Sequence, residues 1–251
     1  MNKIAIITGG SRGIGRSTAL KFAKEGINPI ITYNSNEDEA IKTVQEIEKI
    51  GAKSIALKLD VADRNSYMNF AQIVQGALKT NFGTDKFDIL VNNAGIGLDA
   101  KFLETTEEDF DRMTNIHYRS VYFLSQKLVP FIKEGGHIIN VSTGTTRFTL
   151  PGYSLYASLK GAVETLTKFM AKELAPLKIR VNVIAPGATA TDFRGGFVRD
   201  NKDVQAYLAS LTTEGRVGLP DDIGDAIYGI ISSDMHWLNG QRFEASGGQA
   251  I

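Results

Sequence analysis

Short apolar runs rich in β-branched residues alternate with stretches of helical period along the whole 251-residue chain. That alternation predicts an α/β fold, a doubly wound parallel sheet of about seven strands with helices on both faces. Two further observations point the same way. Several runs are continuous Val/Ile/Leu/Ala rather than alternating apolar and polar, as strands buried on both faces are. The first run also passes through a glycine-rich turn straight into a helical stretch, the opening unit of a sheet that binds ligands at its strand ends.

The expected strands are Ile4–Thr8, Ile27–Tyr33, Ser54–Leu59, Ile89–Asn92, His137–Ser142, Val181–Ala185 and Arg242–Ala245. Between them, Thr18–Glu25 turns Leu20, Phe22 and Ala23 inward, and Glu37–Ile50 does the same with Ala40, Val44 and Ile47. Ser35-Asn36-Glu37-Asp38 has the form of a capping box for the second of these helices. There is no repeat, low-complexity tract or Pro/Gly/Ser linker, so residues 1–251 are expected to form one domain. The stretch 189–219 breaks the rhythm with Gly195-Gly196, aromatic Phe193 and Phe197 and a short helix near Val204–Leu211. Its place after a strand end suits a substrate lid.

Composition excludes several classes of function. Lys plus Arg number 28 and Asp plus Glu number 28, so no net field draws the chain to nucleic acid or an anionic membrane. Cys is absent, which removes disulfides, thiolate metal sites and a Cys nucleophile together, and fits a cytoplasmic setting. No apolar run is long enough to span a bilayer, and the strand-like start leaves no room for a signal peptide.

The first turn reads Thr8-Gly9-Gly10-Ser11-Arg12-Gly13-Ile14-Gly15. Glycines at 9, 13 and 15 let the backbone close on a pyrophosphate, and the following helix start offers free N–H groups to it. An acid at the end of the second strand would bind the ribose hydroxyls of NAD, but that strand ends Thr32-Tyr33-Asn34-Ser35. Arg12, with Asn34 and Ser35, suits a 2′-phosphate, which makes NADP(H) the expected cofactor. Farther on, Tyr156 and Lys160 stand four apart on one helix face. A nearby ammonium is expected to lower the phenol pKa and ready it for proton exchange with an alcohol or carbonyl.

These pieces occur together with Asp60-Val61, Asn92-Asn93-Ala94-Gly95, Asn115, a hydroxyl after the fifth strand and Pro186-Gly187…Thr191. In that order and spacing the chain resembles the short-chain dehydrogenase/reductase family of compact single-domain type over nearly its whole length. The resemblance implies a Rossmann-like fold and an oxidoreductase acting on CH–OH or C=O groups. It implies that Tyr156 exchanges the proton, that Lys160 tunes it and holds the nicotinamide ribose, and that Asn115 keeps a relay water. Asp60 and Val61 would flank the adenine, and Asn93, Ala94 and Gly95 would line the cofactor floor. Pro186, Gly187, Thr189 and Thr191 would lie by the nicotinamide, with Thr191 on its carboxamide. The family places a Ser thirteen residues before the Tyr to polarise the substrate carbonyl; here Thr143 holds that place and Ser142 precedes it. Consecutive residues leaving a strand face opposite ways, and the family's thirteen-residue separation selects Thr143, with Ser142 as the alternative hydroxyl.

The expected substrate is a small-molecule ketone or secondary alcohol, with a 3-oxoacyl-carrier-protein reductase and a non-catalytic dinucleotide-binding protein as the alternatives. Arg119, Lys172 and Arg180 are the candidates for a carrier docking face, and Arg147, Phe148, Tyr153, Phe193 and Phe197 for the substrate pocket. His117, His137 and His236 lack triad or metal-ligand spacing and read as structural; no metal is expected. Trp237 is expected to pack in the C-terminal region. The resemblance implies a homotetramer or homodimer, with Arg242–Ile251 near an interface.

Overall fold

The computed structural model describes residues 2–232 and 234–251. Among them, the strands are β1 (Ile4–Ile7), β2 (Asn28–Tyr33), β3 (Ile55–Lys58), β4 (Phe87–Asn92), β5 (Ile132–Val141), β6 (Arg180–Pro186) and β7 (Arg242–Ala245). They form one sheet in the order β3-β2-β1-β4-β5-β6-β7, parallel throughout. The order turns back between β1 and β4, and the crevice at such a switch point is where open parallel sheets bind ligands.

The helices are α1 (Gly13–Lys24), α2 (Glu37–Ile50), α3 (Tyr67–Phe82), α4 (Glu107–Thr114), α5 (Ser120–Leu128), α6 (Ser154–Glu173), α7 (Phe197–Asp200), α8 (Lys202–Ser210) and α9 (Pro220–Ile231). Alternate residues of the central strands serve opposite layers. Ala5, Ile7, Ile31 and Val91 meet Phe22 of α1, Ala40 and Ile47 of α2 and Ile227 of α9. Ile4, Ile6, Ile30 and Leu90 meet Phe70 and Val74 of α3, Leu124 of α5 and Ala171 of α6. Each large apolar side chain buried in this way contributes about 1.5–3 kcal/mol, so the two layers hold the sheet from both sides.

Several boundaries differ from the sequence reading. β5 starts at Ile132, five residues before His137, because it runs through Gly135-Gly136, which interrupt the apolar pattern; the β4–β5 register shifts nearby, between Phe87 and Ile89. α1 starts at Gly13 rather than Thr18, since its first turn is the glycine turn itself. The α2 cap is Asn36, whose side chain accepts from the Glu39 N–H at 3.1 Å, so Ser35 is left at the mouth of the cleft and the expected capping box does not form. Trp237 does not pack: it lies in a turn between α9 and β7 and is 97% exposed.

Polar side chains cross the core just below the strand ends. Asn92 Nδ2 donates to Asn140 Oδ1 at 2.8 Å and to Ser125 Oγ at 2.9 Å, and Asn140 Nδ2 donates to Thr167 Oγ1 at 2.9 Å. This chain of amides ties β4 and β5 to α5 and α6 where the strands release into the loops of the cleft. Buried amides tolerate such a place only when fully bonded. Asn140→Leu keeps the branched heavy-atom shape but strips a partner from Asn92, and is expected to lower stability by about 1–3 kcal/mol in urea unfolding. An unchanged midpoint and slope would contradict the role given to this chain.

Candidate active site

The C-terminal ends of β1, β4, β5 and β6 open into one cleft of about 630 Å³. Its first wall is the turn before α1. Gly9 and Gly13 adopt positive φ, 67° and 55°, where a side chain is strained. At Gly15 a Cβ would fall 2.3 Å from the Gly9 carbonyl oxygen, so the turn closes only on glycine. No side chain caps α1 and no acid lies in its first turn, which leaves its N–H groups facing the cleft past Ser11, Arg12, Gly13 and Ile14. This cradle fits a pyrophosphate.

Thr8 clasps the turn to the floor: its hydroxyl accepts from the Asn93 and Ala94 N–H groups at 2.9 and 3.0 Å. Asn93 Nδ2 returns bonds to the Thr8 and Gly9 carbonyls, so Asn93 is a brace as well as part of the wall with Ala94 and Gly95. At the outer end, Arg12, Asn34, Ser35, Asp60 and Val61 line the cleft. Arg12 is exposed and pairs with no carboxylate among the described residues, whereas Arg16 is held by Glu46. Glu37 is occupied with the Tyr33 hydroxyl at 2.8 Å and does not reach the cleft wall. A free guanidinium without an acid beside it suits a phosphorylated ribose better than a bare one.

The inner end is built by α6 and the loops after β5 and β6. Tyr156 lies in the first turn of α6 and Lys160 one turn deeper, 3% exposed, its Nζ donating to the Val141 carbonyl at 2.7 Å. The ammonium stands over the Tyr156 ring, 5.9 Å from its centroid, and is not among the groups that shift the phenol. The expectation that Lys160 lowers the phenol pKa is therefore not met. Burial, reinforced by Tyr153, pushes the phenol well above its ordinary value, with a hydrogen bond from Thr143 pulling the other way. Burial also pushes the Lys160 ammonium down to about 8. The phenol is thus a protonated donor at neutral pH, which is the form that can give a proton to a carbonyl oxygen.

Strand alternation separates the two candidate hydroxyls. Thr143 faces the cleft and bonds to the phenol and to Thr145 Oγ1, the latter at 3.1 Å. Ser142 turns into the protein and donates to Glu164 Oε1 at 2.6 Å. Glu164 also accepts from Thr146 at 2.7 Å and Arg242 at 3.0 Å; Arg242 continues to Glu244, and Glu244 to Arg147. Arg147 binds the Ala250 carbonyl at 2.6 Å. The paired guanidinium of Arg147 holds the Glu244 carboxyl down at about 2. Arg147, expected in the substrate pocket, instead anchors the C-terminal segment, while Phe148, Tyr153, Phe193 and Phe197 do line the cleft.

Pro186, Gly187, Thr189 and Thr191 form the remaining wall, with Thr191 across from Gly13. Asn115 is not on the wall. Residues 115–119 form a π turn, in which the Ser120 N–H bonds back to the Asn115 carbonyl, and this wide turn brings Ile116 and His117 to the cleft. His117, which the sequence ranks as structural, packs edge-on against Tyr156 with centroids 5.1 Å apart. Its Nε2 is 2.8 Å from the Ile96 carbonyl, and burial and Lys160 hold it neutral. Gln249 is also missed by the sequence: buried near the chain end, it accepts from the Ala188 N–H and lines the cleft. His137 is buried, pushed down to about 3 and bonded to Asn182, and His236 is exposed. Among the described residues, no group of acids and histidines is arranged to hold a metal ion.

Comparison with known proteins agrees with this geometry. Residues 9–250 match a family model described as enoyl-(acyl carrier protein) reductase. A hydroxynaphthalene reductase-like protein, Arp2, of Metarhizium brunneum is 35% identical, over 98% of this chain and 94% of that protein. Among solved structures, LugOII, described as a promiscuous reductase catalysing keto-reduction at C1 during lugdunomycin biosynthesis, superposes with a TM-score of 0.92 at 36% identity, covering 98% of this chain and 96% of its own. The angucycline C-6 ketoreductase LanV with bound NADP has a TM-score of 0.92 at 34% identity, covering 98% and 95%.

The burial of Lys160 has a measurable sign. Its folded pKa lies below that of the unfolded chain, so between about pH 8 and 10.5 the unfolded state binds the extra proton, and folding stability gains from this group as pH rises. Below about pH 8 both states carry the proton and the dependence flattens. Side-chain NMR of the ligand-free protein is expected to show one lysine titrating near 8 that disappears in Lys160→Met. Lysines that all titrate above 10 would contradict the burial argument.

Proposed function

The chain belongs to the short-chain dehydrogenase/reductase family, and from that premise we propose that it is an NADP(H)-dependent oxidoreductase interconverting a small-molecule ketone and its secondary alcohol. One observation carries the reading: a protonated phenol, bonded to Thr143 and seated above a buried lysine, stands at the inner end of a cleft whose outer end is a phosphate cradle. A non-catalytic nucleotide binder has no need of that arrangement.

The turn of Gly9, Ser11, Arg12 and Gly13 would hold NADPH, which when bound would supply a hydride to the carbonyl carbon. Tyr156 gives its phenolic proton to the carbonyl oxygen, so hydride and proton together account for the alcohol. Thr143 donates to the same oxygen and polarises it as charge develops. Lys160, a turn below, is placed to hold the ribose. His117 and Tyr153 fix the Tyr156 ring from two sides, at centroid distances of 5.1 and 6.2 Å. The family resemblance supports a relay water kept at Asn115, which opens the π turn behind the cleft wall.

The aromatic lining of the inner cleft, with relatives described as ketoreductases of angucyclines and a hydroxynaphthalene reductase-like protein, supports an aromatic polycyclic ketone as substrate. The carrier-protein alternative is less favoured: of its three candidate docking residues only Lys172 is exposed, while Arg180 is bonded to the Met235 carbonyl and Arg119 is partly buried. Residues 189–219 act as the substrate lid within a single 1–251 catalytic unit, with Phe193 6.0 Å from Tyr156. Exposed Tyr122, Phe123 and Phe169 support association as a homotetramer or homodimer, and the Cys-free chain suits the cytoplasm. No described helix is long and apolar enough to cross a membrane.

NADPH is expected to bind at least tenfold more tightly than NADH, since a charge-assisted contact from Arg12 is worth about 1.5–3 kcal/mol. Arg12→Ala narrows the gap, and equal affinities in the unaltered protein would contradict the assignment. Tyr156→Phe is expected to remove about 10²–10⁴-fold of turnover while NADPH still binds. Thr143→Val is expected to cost about 10²-fold and Ser142→Ala far less. Rates for the last two in the reverse order would move the polarising role to Ser142.

A further inference from the structure

One half-buried charge in the inner cleft is not used by this chemistry. Arg194, in the lid, has φ 54° and ψ 42°, a left-handed conformation that residues with a Cβ seldom adopt. That conformation turns its side chain inward, leaving it only 17% exposed. The guanidinium lies 4.9 Å from the Phe197 ring centroid and 5.2 Å from that of Tyr153. It donates to the Tyr153 hydroxyl and to the Asp99 carboxylate. The opposite loop is shaped to admit it: a Cβ on Gly97 would fall 2.2 Å from Arg194 Cγ. Tyr153 in turn packs edge-on against Tyr156, so the cation stands one ring away from the proton donor.

The pair is asymmetric. The Arg194 side chain is 17% exposed, while that of Asp99 is 56% exposed and can return to water at little cost. The cation is held between the Phe197 and Tyr153 rings, and its carboxylate partner is the more solvated of the two. It offers a planar fork of donors, which matches an anionic oxygen, and its neighbours Phe193, Phe197 and Tyr153 offer ring faces. We propose that Arg194 is a specificity-determining residue that receives an acidic oxygen of the substrate, a phenolate, enolate or carboxylate on a planar aromatic ketone, with Asp99 as the counter-ion it gives up. The proposal rests on the ketone-reductase reading and narrows its substrate class. The carbonyl sits under Tyr156 and Thr143, and the acidic group points along the ring plane toward the lid.

The test compares a bicyclic aryl ketone bearing a ring carboxylate with its methyl ester, in the unaltered protein and in Arg194→Met, Arg194→Lys and Asp99→Asn. The expected ratio of kcat/KM, acid over ester, is at least tenfold in the unaltered protein and carried mainly by KM. It falls to near one in Arg194→Met, is partly kept in Arg194→Lys, and rises in Asp99→Asn, where the competing carboxylate is gone. Calorimetric binding of the acid to the NADP⁺-loaded protein reads the same site without turnover. Acid and ester bound alike, or an Arg194→Met change that lowers both equally, would overturn the proposal. Tight, Arg194-dependent binding of the acid without reduction of either ketone would leave this site standing and count against the ketone-reductase reading alone.

Discussion

The clasp between Thr8-Gly9 and Asn93-Ala94 is the constraint on which the rest depends. The parallel winding sets β1 beside β4 at the point where the strand order turns back. Four hydrogen bonds across that seam then fix the glycine turn against the floor of the cleft. The turn must be glycine at 15 because the Gly9 carbonyl oxygen lies where a Cβ would be. With the turn held, α1 points its start into the cleft, and the cradle for a pyrophosphate follows from the backbone rather than from any single side chain.

The inner site depends on burial in a different way. Lys160 is placed by a hydrogen bond to the last residue of β5, and the loop after that strand is held by Glu164, which gathers Ser142, Thr146 and Arg242. One hydroxyl of the Ser142-Thr143 pair therefore serves the scaffold and the other serves the cleft. The same desolvation that keeps the phenol protonated eases the lysine toward neutrality. In the ligand-free protein the two groups are poised by their surroundings more than by each other.

Much of this was legible from the residues in order. Periodicity marks the strands: β1 and β6 leave compact apolar runs, and β7, though it carries Arg242 and Glu244, falls at Arg242–Ala245 as read. Spacing brings Tyr156 and Lys160 onto one helix face, and thirteen residues separate Thr143 from Tyr156. What was not legible depends on backbone excursions. The π turn that exchanges Asn115 for His117 on the cleft wall has no period of its own. The left-handed Arg194 is hinted at only by the glycines that follow it. Gln249 reaches the cleft because the Arg147–Glu244 pair folds the chain end back, a contact spanning about a hundred residues of sequence. Trp237 shows the opposite failure, a large apolar residue with nowhere to pack.

The central claim is that the cleft delivers a proton to a carbonyl oxygen, not to carbon. It is tested most directly with an α,β-unsaturated aryl ketone and NADPH deuterated at the transferred position, the product being located by NMR. The account predicts deuterium on the carbinol carbon of an allylic alcohol, with the double bond intact and the hydroxyl proton drawn from solvent through Tyr156. Deuterium on the β-carbon of a saturated ketone, with the carbonyl retained, would contradict it.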